Sequence, residues 1–338
     1  MSQAAEYLSS RKWGVFTHYL HSLICDPSHV SNRMTGITDW NEAVSRVDVE
    51  RLAYSLHRMN VGYYFITLMQ GDRYLLAPNA TFDSIAGTKP GEACALRDLP
   101  MELADALAKY GIDLCLYYTG DGPWKDEIIG NRFGFVAPRE NVSMDFVEKW
   151  ASVLEEYAVR YGDRVKAWWI DGCYGGPSPF RREQFGYTDE LLAPYERAIR
   201  KGNPMAAIAF NDGGSPIRLE KHYVNEDFTA GESRQIRERS APLTKYVDGA
   251  LHHVLFPLGA NTNFRDGAWG TCGLKHPKEY VLRYIEAMNA FGGIVTVDIA
   301  PFIDGSLDPE QEAALRFVGE HITLGRSSEN ESIQDRCL

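Results

Sequence analysis

Eight short apolar runs punctuate the chain: WGVFTHYL (13–20), YYFITLM (63–69), DLCLYYT (113–119), VKAWWID (165–171), AAIAFND (206–212), YVNEDF (223–228), HHVLFPLG (252–259) and IVTVDIA (294–300). Their length and their β-branched and aromatic content predict strands. Between them lie amphipathic runs at 48–60, 97–110, 145–161, 189–201, 277–291 and 309–322. In the third, Phe146, Trp150, Val153, Leu154 and Tyr157 recur at helical spacing, and most of these runs open with Asp, Glu or Pro. Alternating strand and helix predicts a parallel sheet. Eight such units in 338 residues fit an α/β fold of the single-domain (β/α)8 TIM-like barrel type better than an open doubly wound sheet. Helical runs are not evident after the fifth and sixth strands. The barrel is expected over 1–325, with a polar tail over 326–338.

Composition narrows the function classes. An apolar content of 44% with 12% aromatics supplies a large core. Thirty-five Lys and Arg against 46 Asp and Glu give a net charge of -11, and no basic tract could follow a phosphate backbone, so nucleic acid is not an expected partner. Neither a leader with a basic start and apolar middle nor an uninterrupted span of about 18 apolar residues is read, which predicts no membrane partner and a cytoplasmic location, with secretion open if a leader was trimmed. Composition does not address the oligomeric state. The six cysteines form no CxxC pair and are expected to be reduced and mostly buried. GxGxxG after the first strand and GxxxxGK[ST] are both missing, so no nucleotide cofactor is expected, and no other cofactor is indicated.

Barrel enzymes carry their reactive groups on the loops after the strands. Those positions hold His18, then Gln70, Asp72 and Arg73, then Tyr118, Asp121 and Trp124, then Asp171, Asp212, Glu226, Asp227 and Glu232, then Asn261, Asn263 and Trp269, and finally Asp298. The rim is rich in carboxylates and aromatics. Histidines are too sparse there for an evident metal centre, which leaves a carboxylate-held metal as the minor reading. GxSxG is absent, and Lys166 starts its strand at the wrong end for a Schiff base. Paired carboxylates with aromatic faces are the chemistry of glycoside cleavage.

Several segments, in order, resemble glycoside hydrolase family 29, the α-L-fucosidases, along nearly the whole barrel. Trp13 to His18 is similar to the family's first strand (FGIFIHWG), Arg97 to Gly111 to its RD…EL…A…KxG helix, and Leu116 to Tyr118 to its LYYS strand. Tyr161-Gly162 leading to Trp168, Trp169, Ile170, Asp171 and Gly172 is similar to YG…WFDG. Gly292-Gly293, Asp304-Gly305 and the PEQ helix are similar to the closing segment. The family's usual C-terminal β-sandwich has no counterpart within these 338 residues.

The resemblance implies a retaining exo-glycosidase acting by double displacement on a carbohydrate substrate. Asp171 takes the nucleophile's place; the alternative is a turn-forming Asp before glycine. The stretch from Asn225 to Glu232 is similar to GDFxTPE, which puts the acid/base at Glu232, with Glu226 and Asp212 as alternates. The family's WExC motif is replaced by Leu255-Phe-Pro-Leu258. His18 matches a sugar-binding histidine, the alternative being a core histidine. Alternation back from Asp171 turns Trp169 toward the same side as the acid. Trp124 and Trp269 are either sugar platforms or packing under loops. Gln70, Arg73, Tyr118 and Asp298 complete the expected substrate contacts.

The family's KHHDGF stretch is replaced by Leu68-Met-Gln-Gly-Asp-Arg-Tyr74, so both of its histidines are missing. Gln70 and Arg73 remain as donors, and an arginine there favours an acidic or modified sugar over fucose. Two other readings stand beside the hydrolase: a barrel that binds saccharides without cleaving them, and a metal-dependent lyase or isomerase acting on sugars.

Overall fold

The computed structural model describes residues 2–136, 141–176, 185–213, 220–237, 244–260 and 269–324. Asn261, Asn263 and the expected tail at 326–338 lie outside these described residues. Seven of the apolar runs form one parallel sheet: β1 (Trp13–Thr17), β2 (Tyr63–Thr67), β3 (Asp113–Thr119), β4 (Val165–Asp171), β5 (Ala207–Phe210), β8 (His253–Pro257) and β9 (Ile294–Ile299). A separate two-stranded ladder pairs β6 (Tyr246–Val247) with β7 (Ala250–Leu251). The order β5-β4-β3-β2-β1-β9-β8 sets the first strand beside the last, which curls the sheet into a barrel-like wall.

Helices α1 (Gln3–Ser10), α2 (His21–Ile24), α3 (Trp40–Ser45), α4 (Val49–Arg58), α5 (Ala80–Ala86), α6 (Leu99–Ala108), α7 (Glu127–Phe133), α8 (Met144–Tyr161), α9 (Asp189–Gly202), α10 (Lys278–Ala290) and α11 (Pro309–His321) surround it. Asp39, Asp48, Asp98, Asp126, Ser143 and Thr188 cap six of them by accepting from a first-turn amide. Among the described residues no helix is long and apolar enough to cross a membrane.

Strands buried on both faces read as continuous apolar runs, because alternate side chains enter two different cores. One core lies between sheet and helices and takes Val15, Tyr64, Leu116, Tyr118, Trp168 and Val297. The other fills the curl with Phe16, Tyr63, Phe65, Tyr117, Trp169 and Leu255. Ala4, Ala5 and Leu8 of α1 join this inner core. Gly14 is required here: a Cβ would stand 2.3 Å from the Tyr63 ring.

The expected sixth strand is not regular. The eighth place, between β5 and β8, is crossed by 227–233, which bonds to β5 through Asp227 N to Ile208 O (2.8 Å) and to β8 through Leu255 N to Gly231 O (3.0 Å). Carboxylates replace backbone carbonyls along its β5 side. Asp227 Oδ2 accepts from Ile208 N (3.1 Å), and Glu226 Oε1 accepts from Phe210 N (3.1 Å). Gly231, at φ +60°, breaks the extended course. The fold is therefore a seven-stranded curled sheet with an irregular segment across its gap.

Candidate active site

The strand register decides what meets at the C-terminal end of the sheet. In-register neighbours of parallel strands point the same way, and β3 and β4 align Tyr117 with Trp169 and Thr119 with Asp171. Tyr117 and Trp169 stack at 5.4 Å with planes 19° apart and form the floor of a pocket. Trp169 Nε1 donates to Ala230 O at 2.9 Å, which ties that floor to the irregular segment. The pocket is lined by His18, Gln70, Tyr117, Trp169, Asp171, Glu232, Leu255 and Trp269.

Two carboxylates face each other in it across one amide. Asn211 Nδ2 donates to Asp171 Oδ1 at 2.8 Å and to Glu232 Oε2 at 2.7 Å. Its own oxygen accepts from Gly213 N at 3.1 Å, which orients the amide with both hydrogens toward the acids. Tyr117 donates to Asp171 Oδ2 at 2.5 Å and receives Gln70 Nε2 at 2.9 Å. Burial, then the negative charge of Asp171, pushes the Tyr117 phenol well above its usual range, so it remains a donor. Burial and then the charge of Asp171 also raise Glu232 to about 6. One carboxylate is thus held by two donors, while its neighbour is biased toward the protonated form.

Replacing Asn211 by Ala removes a donor shared by both acids. A hydrogen bond to a charged group contributes about 1.5–3 kcal/mol, so Asn211→Ala is expected to lower kcat/KM for a turned-over substrate roughly 10- to 100-fold. Steady-state kinetics on the variant checks this.

His18 and Trp269 are fixed by a residue behind them. Asp298 Oδ1 takes His18 Nδ1 at 2.7 Å, and its Oδ2 accepts from Gly270 N at 2.7 Å. Asp298 is fully buried and does not line the pocket, so its contacts orient His18 and the backbone next to Trp269. Burial raises its carboxyl, and His18 opposes that rise. With Nδ1 occupied, Nε2 is the histidine's remaining polar atom.

Below the nucleophile candidate lies a third acid. Gly172, at φ +68°, leaves room for Asp121, whose carboxyl carbon would sit 2.4 Å from a Cβ there. Burial and then the Asp171 charge hold Asp121 well above the usual carboxylate range. That direction favours the neutral form of Asp121, which avoids crowding Asp171 with a second full charge.

Other expected site residues are placed elsewhere. Tyr118 faces the outer core, stacked on Trp150 at 4.9 Å and donating to its carbonyl at 3.2 Å; the inward residue is Tyr117, one position earlier. Arg73 is engaged through two nitrogens by Asp126 at 2.5 and 3.1 Å, which removes the ground for an acidic sugar at that point. Trp124 packs under a loop, 5.9 Å from the Phe185 ring. Glu226 bonds to the amides of Phe210, His222 and Tyr223, so it organises a turn outside the pocket, and burial raises it to about 7. Asp212 Oδ1 accepts from Gly175 N at 2.6 Å and fastens the glycine turn after β4. Tyr117 and Asn211 were missed by the sequence reading, although alternation along β3 and from Ala207 through Ala209 points at both. Among the described residues no three His, Cys, Asp or Glu side chains are grouped to hold a metal ion.

No protein-family profile matches the sequence, and no curated protein matches it. Solved structures match by fold. An α-L-fucosidase of family 29 from Bacteroides thetaiotaomicron superposes with a TM-score of 0.64 at 19% identity, covering 95% of this chain and 73% of that one. The α-L-fucosidase AlfC from Lactobacillus casei, in complex with α-L-fucose, gives 0.61 at 15% identity over 94% of this chain and 98% of its own. An endo-fucoidan hydrolase of family 107 gives 0.69 at 14% identity over 94% of this chain, which spans only 53% of that protein. These neighbours are glycoside hydrolases sharing the fold.

Proposed function

We propose that this chain is a retaining exo-glycosidase of the α-L-fucosidase type, with Asp171 as nucleophile and Glu232 as general acid/base. The observation that carries the reading is the single Asn211 nitrogen bonded to both carboxylates. The two accepting oxygens can be no farther apart than those two bonds laid end to end. That limit holds for the two facing oxygens, and it supports a retaining pair, whose carboxyl groups stand roughly 5–5.5 Å apart, over an inverting one at roughly 6.5–9.5 Å.

In the first step an Asp171 oxygen attacks the anomeric carbon, the bond to the leaving oxygen breaks, and the Glu232 proton passes to that oxygen. Each Asp171 oxygen keeps a lone pair beyond its existing hydrogen bond. Forming the ester removes the Asp171 charge, one of the two causes that raise Glu232, so Glu232 stays ionised after giving up its proton. As a carboxylate it can take the proton of a water that attacks the anomeric carbon and releases Asp171. His18 and Gln70 provide polar contacts to ring hydroxyls. Leu255, Trp169 and Trp269 give an apolar wall suited to a deoxy sugar, and among the described residues neither Lys nor Arg lines the pocket.

The test is a panel of aryl glycosides with the first-formed product read by NMR. Retention of anomeric configuration is expected, with α-L-fucoside among the substrates cleaved. An inverted first product rules out the double displacement.

A further inference from the structure

The end of β1 delivers one titratable ring to an aromatic wall. His18 lies two positions beyond Phe16, whose side chain faces the inner core, and alternation turns both the same way. The His18 ring stands 4.6 Å from Phe16, 5.7 Å from Trp269 and 6.1 Å from Tyr117, measured between centroids. Among the described residues its one hydrogen-bond partner is Asp298. That acid comes from β9, in register with Phe16, so it too points inward and lies one level below His18.

Asp298 is wholly buried, with Gly270 N at 2.7 Å from Oδ2 and His18 Nδ1 at 2.7 Å from Oδ1. A carboxylate accepts and cannot donate, so this pairing puts the imidazole proton on Nδ1. The neutral ring carries a single N–H, which leaves Nε2 with a lone pair facing the pocket that His18 lines. The same carboxylate joins two walls. Gly270 follows Trp269 at φ +62°, and a Cβ there would meet Leu23 Cδ1 at 3.2 Å and His18 Cβ at 3.4 Å. Asp298 thus locks the ring and the turn bearing Trp269 to each other from behind.

Resting on the glycosidase reading above, we propose that Asp298 is a positioning residue that presents His18 Nε2 to the sugar as a hydrogen-bond acceptor, so the ring position facing His18 must carry a free hydroxyl. An alkylated or sulfated oxygen at that position has no proton to give. A deoxy carbon leaves Nε2 desolvated and unpaired, which is how a polar site rejects an analogue that lacks one group. Selectivity at this wall then rests on a buried residue that does not touch the substrate.

The probes are L-fucose and its mono-deoxy and mono-deoxyfluoro derivatives at each ring hydroxyl, which are not consumed, so calorimetry gives their affinities on the parent protein. Fluorine accepts weakly and donates nothing. At about pH 8, above the roughly 6.5 of a free imidazole, the derivatives altered opposite His18 are expected to bind about 5- to 50-fold more weakly than L-fucose, deoxy and deoxyfluoro alike. Asp298→Asn should weaken L-fucose by a similar factor and leave those derivatives within about twofold, because the contact it supports is already gone. That pairing also identifies the ring position. A loss shared equally by every sugar marks a merely structural role and overturns the proposal, as does a deoxyfluoro compound that keeps the affinity its deoxy counterpart loses there. Histidine NMR reads the tautomer without sugar and without a folded Asp298 variant. The His18 signal, assigned by its absence in His18→Gln, should show a proton on Nδ1 and none on Nε2. A proton on Nε2 overturns the proposal however the sugars bind. The expected tautomer in a protein that binds none of these sugars overturns the fucosidase-type reading and leaves the Asp298–His18 assignment standing.

Discussion

Replacing Asp171 by Gly is expected to reduce hydrolysis of every substrate in the panel by about 10³-fold or more, the scale seen when a covalent nucleophile is removed. The cause is geometric. Tyr117 and Asn211 hold the two Asp171 oxygens, and these donors persist in the variant with nothing to align. Each tenfold loss corresponds to about 1.36 kcal/mol of transition-state stabilisation, so the expected deficit exceeds about 4 kcal/mol. Azide admitted to the vacated space should restore bond cleavage by direct attack and give a glycosyl azide of inverted configuration. A nucleophile elsewhere predicts neither the loss nor the inverted azide. A barrel that only binds saccharides predicts a parent protein that retains the sugar without turning it over, so the parent's rate decides between those readings before any variant is made.

How far the sequence leads to this site depends on whether the information is local. β3 and β4 have the bounds expected from their apolar runs, because strands buried on both faces leave an uninterrupted hydrophobic signature. The sixth run fails for a local reason with a distant partner: Glu226 and Asp227 satisfy amides of β5, so the acids that look like rim chemistry serve as substitutes for backbone carbonyls. The Arg73–Asp126 pair joins residues 53 apart, and nothing in the sequence around Arg73 announces that its charge is already met. Tyr117 and Asn211 were within reach. Asp171 and Trp169 face inward, and carrying that alternation across the sheet selects Tyr117 over Tyr118 and Asn211 over Asp212. Conversely, the absence of the family's histidine pair was plain in the sequence, while what stands in that place needed the structure: Gln70 supports Tyr117, and Tyr117 supports Asp171.

Glu232 should betray its role through pH. An acid that must be protonated to act loses effect as pH rises through its pKa, so kcat/KM is expected to fall above about pH 6, the value to which burial and Asp171 raise this carboxyl. Glu232→Gln should abolish that limb. It should slow glycosides with poor leaving groups by about 10²–10⁴-fold, the usual worth of general acid catalysis. Activated aryl glycosides need little protonation and should lose far less in the first step. Stability should move the other way. The raised pKa means that the folded protein keeps a proton which the unfolded chain releases, so Glu232 reduces stability as pH rises from its unfolded value of about 4.5 through about 6. Glu232→Gln escapes that penalty and should melt at a higher temperature than the parent above pH 6, with the difference closing below about pH 4.5. A carboxylate present only for structure would show the reverse, a variant that is less stable at neutral pH and a pH–rate profile that keeps its alkaline limb.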